Sequence, residues 1–198
     1  GLESIGVEPG PRGFIEVDGQ LRVPDHPWLR VVGDANGRNL LTHQGKYQAR
    51  LVGDSLAGIE VAAAWADELA TPRIVFTDPQ IAAVGLTEAH ARERFSHVRT
   101  VSYDVGETSG GALQGVGFGG TAQLVLDDDR RVIVGTTLVG PGVSELLHAA
   151  TIAIVGEVPI ERLWHAVPGF PTVSEVWLRL LEELRSDDLS AGNGDGSA

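Results

Sequence analysis

The 198-residue chain contains no cysteine and no methionine. Without Cys it can form no disulfide framework, no thiolate metal site and no Cys nucleophile of its own. The missing Met includes position 1, which leads to the expectation of a chain cut from a longer one. Positive charge is scarce: 15 Lys and Arg face 27 Asp and Glu, for a net charge of −12. Such acidity argues against nucleic acid, whose binding needs a basic face to displace counterions. It argues equally against an anionic membrane surface. No run approaches the roughly 18 apolar residues of a membrane span, and the N-terminus lacks the regions of a signal peptide, so the expected compartment is the cytoplasm. No metal-ligand cluster stands out either, because no two of the six histidines share a helical spacing of three or four residues. The hydrophobic fraction of 42% nonetheless supports a sizeable core.

The pattern that remains divides near Thr71-Pro72. Before it, residues 14–23 read as a hairpin turning at Asp18-Gly19. Residues 28–32 read as a short buried strand ending at Gly33-Asp34. A helix follows from Thr42, whose hydroxyl can cap it, to about Leu56. An Ala-rich stretch, 59–70, reads as a linker. After it come strand material at 74–77 and 81–85, a short helix capped by Thr87, and a strand at 98–104. A Gly-rich connection covers 106–120, and two β-rich runs within 121–139 flank Asp127-Asp128-Asp129. Two amphipathic helices close the block. Val143, Leu146, Leu147, Ala150 and Ile154 share one face, as do Val173, Val176, Trp177, Leu180, Leu181 and Leu184. Thr172-Val-Ser-Glu175 reads as a capping box. Beyond Ser186 the composition predicts a frayed tail. The run 115–120 resembles a phosphate loop only superficially, since it leads into a strand rather than a helix.

Gly33-Asp34 places a carboxylate at a strand exit, next to a helix start with free N–H groups and a positive dipole end. On the residues alone, the favoured reading is that Asp34 merely caps a turn.

Four stretches resemble, in order, the pyridine nucleotide-disulfide oxidoreductases, a family that includes dihydrolipoamide dehydrogenase, glutathione reductase and mercuric reductase. Residues 28–50, with Val31-Val-Gly-Asp34, resemble its second flavin motif. Phe76-Thr-Asp-Pro-Gln-Ile-Ala-Ala-Val-Gly-Leu-Thr-Glu88 resembles the start of its dimerisation domain. Residues 132–145 resemble a later strand-turn-helix of that domain, and Phe170-Pro-Thr-Val-Ser-Glu175 resembles its C-terminal motif.

The resemblance implies an α+β fold: a dimerisation domain with an antiparallel sheet flanked by helices (71–186), preceded by the terminal strand-helix piece of an FAD-binding region (1–70) and followed by a tail (187–198). It implies that Gly33 and Asp34, with the backbone of Leu40, Leu41, Thr42 and His43, contribute to an FAD site. It also implies a homodimer, NAD(P)H as co-substrate of the parent protein and a small-molecule electron acceptor. The family's disulfide reductases carry a proton-moving His where this chain has Phe170, while the paired Glu remains as Glu175. Phe has no donor or acceptor, so the parent is not expected to reduce disulfides by the usual acid-base route. His165, five positions earlier, has the wrong spacing for simple replacement. The isolated chain is expected to be catalytically silent and to retain little FAD. The alternative is a stand-alone pairing module without redox activity.

Overall fold

The structure, a computed structural model, describes residues 1–194, with side chains through residue 190. It divides into two compact units, Gly1–Thr71 and the chain from Pro72 onward. Among the described residues no helix is long and apolar enough to cross a membrane.

In the first unit, β1 (Arg22–Val23) pairs antiparallel with β2 (His26–Arg30). The hairpin therefore turns at Pro24-Asp25, not at Asp18-Gly19. Pro24 presets the first turn position, and Asp25 accepts φ 61° at the second. The earlier turn exists, but it is local. The Asp18 carboxylate takes the N–H groups of Gln20 and Arg22 at 2.8 and 2.9 Å, and residues 14–17 form no strand. Strand β2 is also not the buried strand expected from its composition, for Trp28 is 65% exposed.

Helix α1 spans Thr42–Leu56, and its cap residue is Leu41 in extended conformation, so Thr42 does not cap it. Residues 59–64 have no regular structure. The short α2 (Ala66–Leu69) follows them inside the stretch read as a linker. The unit's apolar cluster is small: Val7, Val23 and Val31 are buried, with Leu2, Ile15, Val17 and Leu29 against them.

The second unit is a five-stranded antiparallel sheet with helices on both faces. Its strands are β3 (Arg73–Val75), β4 (Gln80–Gly85), β5 (Val98–Asp104), β6 (Thr121–Asp127) and β7 (Val132–Gly140), in the order β3-β4-β7-β6-β5. Alternation along the strands sends side chains to opposite faces. Val125, Val132 and Val134 meet Ala91 of α3 (Glu88–Arg94), whose first turn is capped by the Thr87 hydroxyl accepting from the His90 N–H. Leu124 and Ile133 point the other way, toward α5 (Leu147–Val155) and α7 (Glu175–Gly194). The connection 106–120 is not wholly irregular, because it carries α4 (Ser109–Ala112), capped by Thr108. A further short helix, α6 (Ile160–Leu163), precedes the C-terminal motif.

Two expectations for the C-terminus are corrected. The capping box is only half formed: Glu175 Oε1 accepts from the Thr172 N–H at 3.0 Å, but the Thr172 hydroxyl donates to the Gly169 carbonyl instead. The frayed tail is helical through Gly194, and residues 195–198 lie outside the described ones. Ion pairs tie this extension to the sheet. Asp188 bridges Arg99 of β5 and Arg131 in the turn just before β7, and those two arginines also share Asp128.

Candidate functional site

The strand-exit turn of the first unit is where sequence and structure place groups suited to a ligand. After β2 the chain passes through Val31 and Val32 into a single tight turn, Gly33–Asn36. Gly33 sits at φ 67°, a conformation that side-chain-bearing residues rarely adopt. It also lies against the first turn of α1: a Cβ on Gly45 would stand 3.2 Å from the Gly33 Cα. Two facing glycines thus let the strand exit and the helix start approach closely. The cap residue of α1, Leu41, makes no side-chain capping hydrogen bond, and the positive dipole end of the helix lies at this point.

The residues singled out from the sequence fall around this point. Asp34 is exposed, directly after Gly33. Leu40 is exposed and Leu41, the cap residue, half-buried, while Thr42 and His43 are the exposed first residues of α1. The structure thus gathers Gly33, Asp34 and residues 40–43 at one strand-to-helix junction.

Sequence reasoning missed what stands behind that junction. Gln48, fully buried, uses Oε1 to accept from the Gly33 N–H at 2.7 Å and from Asn36 Nδ2 at 2.8 Å. Its Nε2 donates to Asp67 Oδ2 at 2.8 Å, and Gln44 Nε2 donates to Asp67 Oδ1 at 2.9 Å. Asp67 belongs to α2, and its carboxylate is 2% exposed, with a guanidinium nitrogen of Arg38 at 3.7 Å. A buried charge survives only when paired and hydrogen-bonded, and here both oxygens are engaged. The signal available was weak: buried amides follow no hydrophobic period, and Asp67 lies 19 residues beyond Gln48.

The second candidate region is the C-terminal motif. Phe170 is 79% exposed and joined to Pro171 by a cis peptide bond. Glu175 is buried, its Oε1 held by the Thr172 N–H and its Oε2 3.9 Å from Arg179. His165 is exposed just beyond α6. Gly110 of α4 fixes the loop from outside: a Cβ there would stand 1.9 Å from the Thr172 carbonyl carbon. No group of three or more His, Cys, Asp or Glu suited to a metal ion occurs among the described residues.

The chain matches the family model described as "Pyridine nucleotide-disulphide oxidoreductase, dimerisation domain" over residues 71–181. It is 33% identical over 183 residues to a dihydrolipoyl dehydrogenase of Synechocystis, covering 89% of this chain and 38% of that protein. A dihydrolipoyl dehydrogenase of Geobacillus stearothermophilus is 30% identical over 182 residues, again covering 38% of its length. Among solved structures, LpdA of Mycobacterium tuberculosis superposes with a TM-score of 0.82 at 21% identity, over 93% of this chain and 39% of that one. The flavoprotein disulfide reductase RclA of Escherichia coli gives 0.78 at 22% identity, over 89% of this chain and 40% of its own. The chain thus spans about two fifths of the proteins it matches. With a sheet flanked by helices over the matched span, the chain belongs to the pyridine nucleotide-disulfide oxidoreductase family and carries its dimerisation domain.

Proposed function

We propose that this chain is the C-terminal part of an FAD-dependent NAD(P)H oxidoreductase, in which the first unit forms one wall of the flavin site and the second pairs two copies. The observation that carries the reading is the approach of Gly33 to Gly45, which sets an exposed carboxylate beside the first turn of α1. The fit is chemical. Asp34, a short ionised acceptor, suits a ribityl hydroxyl. The N–H groups around Leu40, Leu41, Thr42 and His43 suit the flavin pyrimidine edge, where negative charge grows on reduction and an α1 dipole stabilises it without reorganising. FAD, when bound, supplies the electron-transfer chemistry; these residues hold and orient it. A buried cofactor needs walls on several sides, so the chain alone is expected to hold little FAD and to turn nothing over.

Phe170 narrows the acceptor. An exposed ring without donor or acceptor moves no proton. Glu175, engaged by the Thr172 N–H, has no imidazole at position 170 to orient. His165 lies beyond α6, not at the motif. The acceptor is therefore a small oxidant other than a simple disulfide, with quinones one such class. A screen of acceptors with the full-length protein tests this. Turnover of small oxidants without turnover of lipoamide or glutathione disulfide is expected, and efficient disulfide reduction overturns it.

Pairing is assigned to the second unit. Leu146, Ala149, Ile152, Val167 and Trp177 line an apolar cavity of about 490 Å³, and Ile152, Val155 and Val167 are exposed. An isologous contact sets such a patch against its own copy. Sedimentation equilibrium is expected to show a dimer, and a strict monomer at high concentration contradicts it.

A further inference from the structure

The geometry points to Asp67 as a positioning residue for the strand-exit turn, acting through Gln48; the inference rests on the flavin reading for its consequence, but not for its geometry. Asp67 sits in a stretch that looks like a linker, yet its side chain is buried beside α1. Its carboxylate is engaged by Gln44 and Gln48. What it does is orient an amide. The two ends of a Gln side chain have opposite hydrogen-bonding roles, and the choice between them decides what Gln48 offers the turn. Asp67 Oδ2 can only accept, so it holds the Gln48 Nε2 toward itself at 2.8 Å. That turns Oε1 toward the Gly33 N–H and Asn36 Nδ2, both of which need an acceptor.

The turn is pinned from three sides as a result. Gln48 holds Gly33, Asn36 Nδ2 also reaches the Val31 carbonyl at 3.1 Å, and Asn36 Oδ1 accepts from the Arg38 N–H at 3.0 Å. Arg38 closes the loop. One of its nitrogens lies 3.7 Å from Asp67, and another donates to the Val17 and Asp18 carbonyls at 3.1 and 2.8 Å. Gln44 and the Asn39 side chain, which donates to the Asp67 carbonyl at 3.0 Å, fasten α2 to the helix start and the preceding loop. The carboxylate thus sets the register between Gly33-Asp34 and α1, on which a ligand held by both depends.

Exchanging the partners' chemistry tests this in the full-length protein. Gln48→Glu keeps both acceptors for the turn but sets two carboxylates face to face. Adding Asp67→Asn restores a donor toward position 48 and keeps an acceptor for Gln44. Gln48→Glu alone is expected to weaken FAD binding by about tenfold or more, the size expected when a buried polar group loses its partner, and to speed amide exchange in residues 31–37. The double variant is expected to recover both. Wild-type FAD affinity in Gln48→Glu overturns the proposal, as does a double variant that folds and melts like wild type without regaining the cofactor. If the single variant does not fold, the double variant carries the test. If the wild-type protein binds no FAD, the flavin reading fails by itself. The exchange data then decide: protection lost at 31–37 in the single variant and restored in the double supports the positioning role, and unchanged protection overturns it.

Discussion

The two units are held together by different physics. The first buries Leu21 and a small cluster of Val7, Val23 and Val31, and its site turn is held by hydrogen bonds with Gln48 and Asn36, with Asp67 behind Gln48. The second buries Leu124, Leu126, Leu138, Leu147, Leu180 and Leu184 between a sheet and its helices. Apolar burial is non-directional and tolerates small shifts in position, whereas a buried amide network is either satisfied or costly. A pairing platform needs bulk stability, and a ligand-facing turn needs fixed direction. Under the proposed function, the division of forces follows the division of tasks.

The comparison can be broken by substitution, and the largest effect is expected in the leucine core. Leu180→Ala, at a fully buried site of α7, is expected to cost about 2–5 kcal/mol through lost contacts and a residual cavity. Denaturant unfolding checks it, and a cost below 1 kcal/mol would mean that the sheet does not depend on α7. Gly110→Ala is expected to cost about 1–3 kcal/mol, because its methyl group would meet the Thr172-Val173 backbone. Altered protease sensitivity around Phe170 is expected alongside. Thr87→Ala removes the cap of α3 and is expected to cost about 1 kcal/mol, read as a lowered denaturation midpoint.

The smallest effect concerns the ion pairs that continue α7. Burial raises the Asp188 pKa, but hydrogen bonds and charge from Arg99 and Arg131 outweigh it and hold the carboxyl below its ordinary value. A lowered native pKa stabilises the fold above the unfolded carboxylate pKa, and the contribution is lost as pH falls through the native value. Asp188→Asn is expected to be slightly less stable than wild type at pH 7, with the gap closing in acid. A gap that persists in acid would contradict the ionic account. High salt is expected to narrow it at neutral pH.

The units also differ in how far their sequences could be read. The strand 98–104 and the Thr87 cap were legible because alternation, turn residues and a hydroxyl before a helix are local signals. In the first unit, Gly33-Asp34 and the span of α1 were legible for the same reason. Its hairpin was misplaced because Asp18-Gly19 mimics a hairpin turn, while the actual one uses Pro24 and a left-handed Asp25. The helical continuation past Ser186 could not be read from a polar composition, since the ion-pair partners of Asp188 lie far away in sequence, at Arg99 and Arg131. Gln48 and Asp67 were not legible, because a hydrogen bond across 19 residues leaves no period. Local grammar reveals where a site begins, and tertiary polar contacts decide what steadies it.

The most direct measurement is FAD binding by the full-length protein, wild type against Asp34→Ala. The account predicts that the wild type carries FAD through gel filtration and that the variant binds it roughly 10- to 100-fold more weakly, the range for losing a hydrogen bond to a charged group. A wild-type protein that stays colourless after reconstitution, or a variant that keeps its full flavin content, would contradict it.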